Sequence, residues 1–101
     1  MRALLGESEF EAYEACLEKR ARSALRLNTM KVSTDQWEAE SPFTMRRVPW
    51  ISNGYYYDDT DAPSKHPYYY AGLYYLQEPS AMTPANLLPI EPGDRVLDLC
   101  A

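Results

Sequence analysis

Cysteine is scarce in this sequence: Cys16 and Cys100 are the two there are, and they stand far apart. There is no Cys-x-x-Cys spacing, and the single histidine, His66, has no partner pattern around it. A disulfide framework and a zinc site are therefore excluded, and the usage fits a reducing compartment. Long apolar runs are missing too. The longest uncharged stretch of apolar character, Tyr68 to Leu76, has nine residues and is largely tyrosine, far short of the roughly 20 that cross a bilayer. Met1 to Gly6 is too short to be the apolar stretch of a secretion signal. The expectation is a cytoplasmic protein, with no membrane partner and no metal.

Phenylalanine is also rare, at two residues, whereas tyrosine reaches nine and proline eight. With 46% hydrophobic and 25% charged residues in 101, the composition is that of one small globular domain, not of a disordered chain. The net charge of −5 does not mark the whole molecule as a nucleic-acid binder. Its distribution does something different. Lys19, Arg20, Arg22, Arg26 and Lys31 are half of the ten basic residues, and no acid falls between the first and the last of them. A basic stripe persists inside an acidic chain.

Periodicity predicts the elements. Ser8 and Glu11 form a capping-box pattern ahead of Phe10, Tyr13, Leu17 and Ala21, which share one face of a helix over 9–21, with Glu18 and Arg22 spaced to pair. Ala24 to Met30 alternates, with Leu25 and Leu27 on one side and Arg26 and Asn28 on the other, as a strand does. Ser33 and Gln36 open a short helix through Trp37 and Ala39 that Ser41-Pro42 ends. Asn53-Gly54 between Met45–Trp50 and Tyr55–Tyr57 reads as a hairpin turn. Asp58 to Pro67 is a surface loop. Tyr68 to Glu78 fits helix and strand alike. Pro79 to Leu88 is a short helix that Pro84 either kinks or starts, and Arg95 to Ala101 is strand-like after a Pro-Gly-Asp turn. Tyr56 and the alternating members of Tyr68–Tyr75, with Trp37 and Trp50, are assigned to packing, and Cys16 to a buried, inert position.

The sequence blocks that follow carry a resemblance. In order they are Leu25-Arg26-Leu27-Asn28-Thr29-Met30-Lys31, Pro49-Trp50, Asn53-Gly54, His66-Pro67, Ala71-Gly72-Leu73-Tyr74-Tyr75, Gln77-Glu78-Pro79-Ser80-Ala81-Met82 and Val96-Leu97-Asp98-Leu99-Cys100-Ala101. Together they resemble the N-terminal third of the Sun-type RNA cytosine-C5 methyltransferases, in particular the RsmF-like ribosomal RNA branch. The Gln77–Met82 block and the closing Asp-Leu-Cys-Ala, about sixteen residues apart, are the specific pair.

That resemblance implies an α+β fold. A small N-terminal RNA-recognition domain over 1–76 is followed, over 77–101, by the truncated start of a Rossmann-like methyltransferase domain, its helix plus first strand. It implies S-adenosylmethionine as methyl donor and RNA, in the first place ribosomal RNA, as partner. Chemistry in the family runs through a cysteine thiolate that adds to carbon 6 of the base, with a second cysteine assisting release. Those cysteines lie in later motifs, so no residue here is assigned as catalytic and the 101 residues are expected to be inactive alone.

Asp98, Cys100 and Ala101 correspond to the first residues of the cofactor loop, where the cysteine is not the nucleophile. Gln77 and Glu78 correspond to the block beside the cofactor, or else serve only to cap the helix that Pro79 and Ser80 begin. Arg26, Asn28 and Lys31 match the family's Arg-x-Asn-x-x-Lys element and, with Arg20 and Arg22, make an RNA-facing surface or a plain solvated face. Useful binding of S-adenosylmethionine by this length of chain is not expected. The alternative is a stand-alone RNA-binding module, which would have no reason to keep an apolar strand from Val96 to Ala101.

Overall fold

A computed structural model describes residues 1–19 and 21–99. Helices α1 (Arg2–Leu5) and α2 (Glu7–Leu17) come first, followed by strand β1 (Ala24–Leu27), α3 (Thr34–Glu40), β2 (Met45–Arg47) and β3 (Gly54–Tyr57). Two 3₁₀ turns (Asp59–Asp61, Pro63–Lys65), α4 (Pro67–Tyr70), β4 (Tyr74–Leu76), a 3₁₀ turn (Ser80–Met82) and α5 (Thr83–Leu87) complete the order. The α+β class holds, and these strands form one antiparallel sheet in the order β2-β3-β1-β4.

Alternation along β1 divides the sheet into two unlike faces. Leu25 lies opposite Tyr55 and Leu76, and Leu27 opposite Tyr74, so these side chains share one face. There they join Trp37 of α3 in the principal core, flanked by Phe43, Met45 and Tyr57. Ser33 caps α3 by accepting from the Gln36 amide at 3.2 Å, as its pattern predicts, and so holds Trp37 over the sheet. The Trp37 and Tyr74 ring centroids lie 5.5 Å apart, and the indole N–H donates to Met45 Sδ at 3.2 Å. Arg46, Tyr56, Ala24, Arg26, Gly54 and Tyr75 take the other face by the same register.

On that second face Met82, fully buried, packs with Ala24, Val48 and Ile51. Gly54 makes this possible. A Cβ there would stand 2.9 Å from Met82 Sδ and 3.0 Å from Ile51 Cβ, closer than side chains tolerate. The absence of a side chain at this strand position thus lets Met82 and Ile51 pack directly against the β3 backbone. Pro84 sits in the first turn of α5, starting it and not kinking it.

Several sequence expectations are corrected. Gly6, with φ +76°, precedes α2 as its cap, and Ser8 is already inside the helix and caps nothing. The helix ends at Leu17 instead of residue 21, so Glu18 and Arg22 do not face one another on it. It buries no residue, and Cys16 is exposed, not enclosed. Asn53-Gly54 is not a two-residue turn: Gly54 is already in β3, Val48 N–H donates to its carbonyl at 2.8 Å, and the reversal is made by residues 49–53. Trp50 is 49% exposed at that reversal, so it is not a core residue.

Of the tyrosines from Tyr68 to Tyr75, Tyr74 alone is buried: Tyr68, Tyr69 and Tyr70 lie in α4, and Tyr75 takes the opposite side of β4 from Tyr74; Tyr56 is half-buried. Asp58 to Pro67 is largely a surface loop, but Pro63 is buried and its carbonyl accepts from the Tyr74 hydroxyl at 2.8 Å. Residues 95–99 form no strand and are exposed. A parallel strand needs hydrogen-bonding neighbours, and none of the described strands lies alongside these residues. Among the described residues no helix is long and apolar enough to cross a membrane.

Candidate nucleic-acid interface

The cationic residues of the second face come from two strands and the segment before them. Arg26 lies near the middle of β1, and Arg46 is in β2, opposite Tyr56. Arg22 leads into β1 with the same side-chain parity. Its guanidinium carbon lies 5.7 Å from the Tyr56 ring centroid, and that of Arg46 lies 5.3 Å from it. One half-buried ring thereby holds two guanidinium groups over the sheet, a cation–π arrangement that orients both. Asp58 and Asp59 rim this hollow, but Asp58 accepts from Thr60 and Asp59 from Ser23. Among the described residues no ion pair joins Arg22, Arg26 or Arg46 to a carboxylate.

On the far side of Met82, Arg26 opens into a second hollow of about 600 Å³. Tyr75 of the edge strand β4 stands directly opposite Arg26 and is 64% exposed. Asn53 and Asn86 reach the same space. Arg46, Tyr75 and Asn86 do not stand out in the sequence as site residues. No local pattern marks the first two; the sheet register, which pairs Arg46 with Tyr56 and Tyr75 with Arg26, brings them into the site.

Asn28 also lines this hollow, whereas Lys31 does not. The Asn28 amide donates to the Gly72 carbonyl at 3.1 Å, and its Oδ1 accepts from the Met30 N–H. Lys31 Nζ donates to the Ala71 carbonyl at 2.6 Å. Both therefore tie the loop after β1 to the turn before β4. Arg20 lies outside the described residues.

The residues matched to a cofactor site are not brought together. Glu78 Oε2 accepts from the Ser80 and Ala81 backbone N–H groups, at 3.0 and 3.1 Å, and from the Ser80 hydroxyl. These bonds hold its carboxyl below the usual value, the arrangement expected of a residue that starts a helical turn. Gln77 donates to the Ala81 carbonyl at 3.3 Å, and its Oε1 is enclosed with no hydrogen-bond partner among the described residues. Asp98 is on the exposed stretch after residue 94, and Cys100 and Ala101 lie outside the described residues. No cavity is lined by Gln77, Glu78 and Asp98 together among the described residues, so the groups present do not compose a pocket for S-adenosylmethionine.

The class defined by this architecture is a small α+β sheet domain with the principal core on one face and, on the other, guanidinium groups and tyrosines beside a smaller apolar cluster. Residues 1–79 match the N-terminal domain of 16S rRNA methyltransferase RsmF, and the chain belongs to that family. It is 32% identical over 111 residues to ribosomal RNA small subunit methyltransferase F of an Enterobacter species, across 98% of this chain and 22% of that protein. The protein of the same name from Vibrio cholerae is 32% identical over 98 residues, 86% of this chain and 20% of its own length. That from Erwinia tasmaniensis is 31% identical over 112 residues, covering 100% of this chain and 23% of its own. The chain thus spans about a fifth of the length of these relatives.

Proposed function

We propose that this chain is the RNA-docking N-terminal region of a ribosomal RNA methyltransferase that carries a methyl group from S-adenosylmethionine to carbon 5 of a cytosine. The observation that carries the docking role is the gathering of Arg22, Arg26 and Arg46 on one sheet face beside Tyr56 and Tyr75, without carboxylate partners among the described residues. Guanidinium groups bind phosphate oxygens in a planar fork, and tyrosine rings accept stacked bases whatever their identity. Arg20 extends the same basic segment and belongs to the proposed surface. Asn28 and Lys31 contribute by fixing the loop that follows β1, and Lys31 offers its remaining ammonium protons to phosphate.

Residues 1–76 constitute the RNA-recognition part of this reading, and residues 77–101 the threshold of the methyltransferase part. Gln77, Glu78, Asp98, Cys100 and Ala101 are the positions that would face the cofactor there; no residue of this chain is given a catalytic role, and alone it is expected to be inactive. Met82, wedged between the sheet and α5, is the fastening between the two parts. Acting on ribosomal RNA, the whole protein would work in the cytoplasm.

Filter binding of a short ribosomal RNA hairpin at several salt concentrations tests the docking role. Every side chain that neutralises a phosphate adds about one to the salt slope. The triple variant Arg22→Ala, Arg26→Ala, Arg46→Ala is expected to lower it by about two to three. An unchanged affinity and slope would remove this face from the proposal.

A further inference from the structure

Hollows on the described surface differ in charge. The one between Arg22 and Arg46 is rimmed by Asp58 and Asp59, and the one beside Arg47 is walled by Glu38. The hollow of about 600 Å³ between β1, β4 and α5 has no carboxylate in its lining, in a chain with fifteen acidic residues. Its walls carry a guanidinium (Arg26), an exposed aromatic ring (Tyr75) and a side-chain amide with no hydrogen bond among the described residues (Asn86). Its volume falls in the range of about 300–1,000 Å³ usual for small-ligand sites. It also opens at β4, an edge strand, where an extended chain can enter.

We infer that this hollow receives one unpaired nucleotide of the RNA, its base stacked on Tyr75, its phosphate at Arg26 and its base edge at Asn86. The inference rests on the RNA-docking reading above and narrows it to single-stranded RNA at one position. An aromatic face supplies stacking without regard to sequence, and a primary amide presents one donor and one acceptor side, which suits a base edge. Tyr75 serves no core: it points away from Leu25, Leu27 and Tyr74 and keeps 64% of its surface in water.

Fluorescence anisotropy with two labelled probes, a single-stranded RNA octamer and an abasic octamer of the same sugar-phosphate backbone, tests this on the 101-residue chain. Tyr75→Ala is expected to weaken the RNA octamer about tenfold and to leave the abasic one within twofold, because stacking alone is removed. Tyr75→Phe, which keeps the ring, should bind both as the parent does. Arg22→Ala with Arg46→Ala should weaken both probes alike. Far-UV circular dichroism confirms that each variant is folded. If Tyr75→Ala binds the octamer within twofold of the parent, the nucleotide site is wrong while RNA docking stands. If the parent chain binds neither probe at low salt, both fall.

Discussion

Asn28 and Gly72, forty-four positions apart, are joined by a 3.1 Å hydrogen bond from the Asn28 amide to the Gly72 carbonyl. Lys31 adds a 2.6 Å bond to the neighbouring Ala71 carbonyl. Two members of an element expected to face RNA thus hold the polypeptide to itself, fixing the approach to β4 and with it the position of Tyr75. Asn28→Ala leaves the part-buried Gly72 carbonyl without its partner and should cost about 1–3 kcal/mol in urea unfolding. Gly72 has φ +71°, so Gly72→Ala is expected to cost about 1–2 kcal/mol, and Gly72→Asn less. Equal losses for alanine and asparagine would show that the backbone conformation is not the cause.

Gly54 and Met82 make a second linked pair. Gly54→Ala drives a methyl group into Met82 Sδ and Ile51, and overpacking of this kind costs about 1–3 kcal/mol. Met82→Ala alone opens a cavity and should cost about 2–5 kcal/mol. Combined, the two changes remove the Met82 contact and leave the one with Ile51, so the double variant is expected to lose less than the sum. Strict additivity in a double-mutant cycle would contradict the contact.

Tyr55 and Tyr74 sit in the principal core, and burial pushes both hydroxyls up to about 12 from an ordinary 10; for Tyr55 the Glu38 carboxylate adds to the effect. A raised tyrosine value means that the neutral form is favoured in the fold. The stability it contributes is complete below pH 10 and is lost as pH rises from 10 through 12. Absorbance titration of tyrosinate should show a component from Tyr55 and Tyr74 that ionises only as pH nears 12, with core loosening in the same window. Absence of such a late component while the fold persists would be inconsistent with this core.

Glu38 accepts from Arg47 Nε at 2.5 Å and from the Tyr55 hydroxyl at 2.9 Å. These bonds hold its carboxyl below the ordinary 4.5. A depressed value contributes stability that is present above pH 4.5 and lost as pH falls through the folded value. Glu38→Gln should therefore flatten part of the acid limb of the unfolding curve, Asp58 and Glu78 supplying the rest. It should also lower the Tyr55 value while leaving it above 10, since burial is the larger cause. An acid limb identical to that of the parent would rule out the bridge.

Local pattern was enough for the parts governed by neighbours in sequence. The alternation of Leu25, Arg26 and Leu27 defined strand β1 and its two faces, and Ser33 with Gln36 defined the capped helix under Trp37. The glutamate of the Gln77–Met82 block could be read as a helix starter because capping is a three-residue matter. The register of the sheet was not readable in this way. It sets Tyr75 opposite Arg26 and Arg46 opposite Tyr56, pairings between distant segments that depend on which strand edges meet. The same holds for Asn28 and Lys31, whose donors found backbone carbonyls brought near only by the return of β4.

The tail marks the remaining limit. Val96, Leu97 and Leu99 are apolar enough to read as a strand, yet strand structure comes from hydrogen-bonded neighbours, and none of the described strands lies beside them. Sequence by itself determined the composition class, the split of β1 into an apolar and a basic side, and the family blocks. Tertiary structure alone decided which cations share a face, which tyrosines remain in water, and which hollow is free of carboxylates, because long-range pairing and burial are properties of the assembled sheet and not of any one segment.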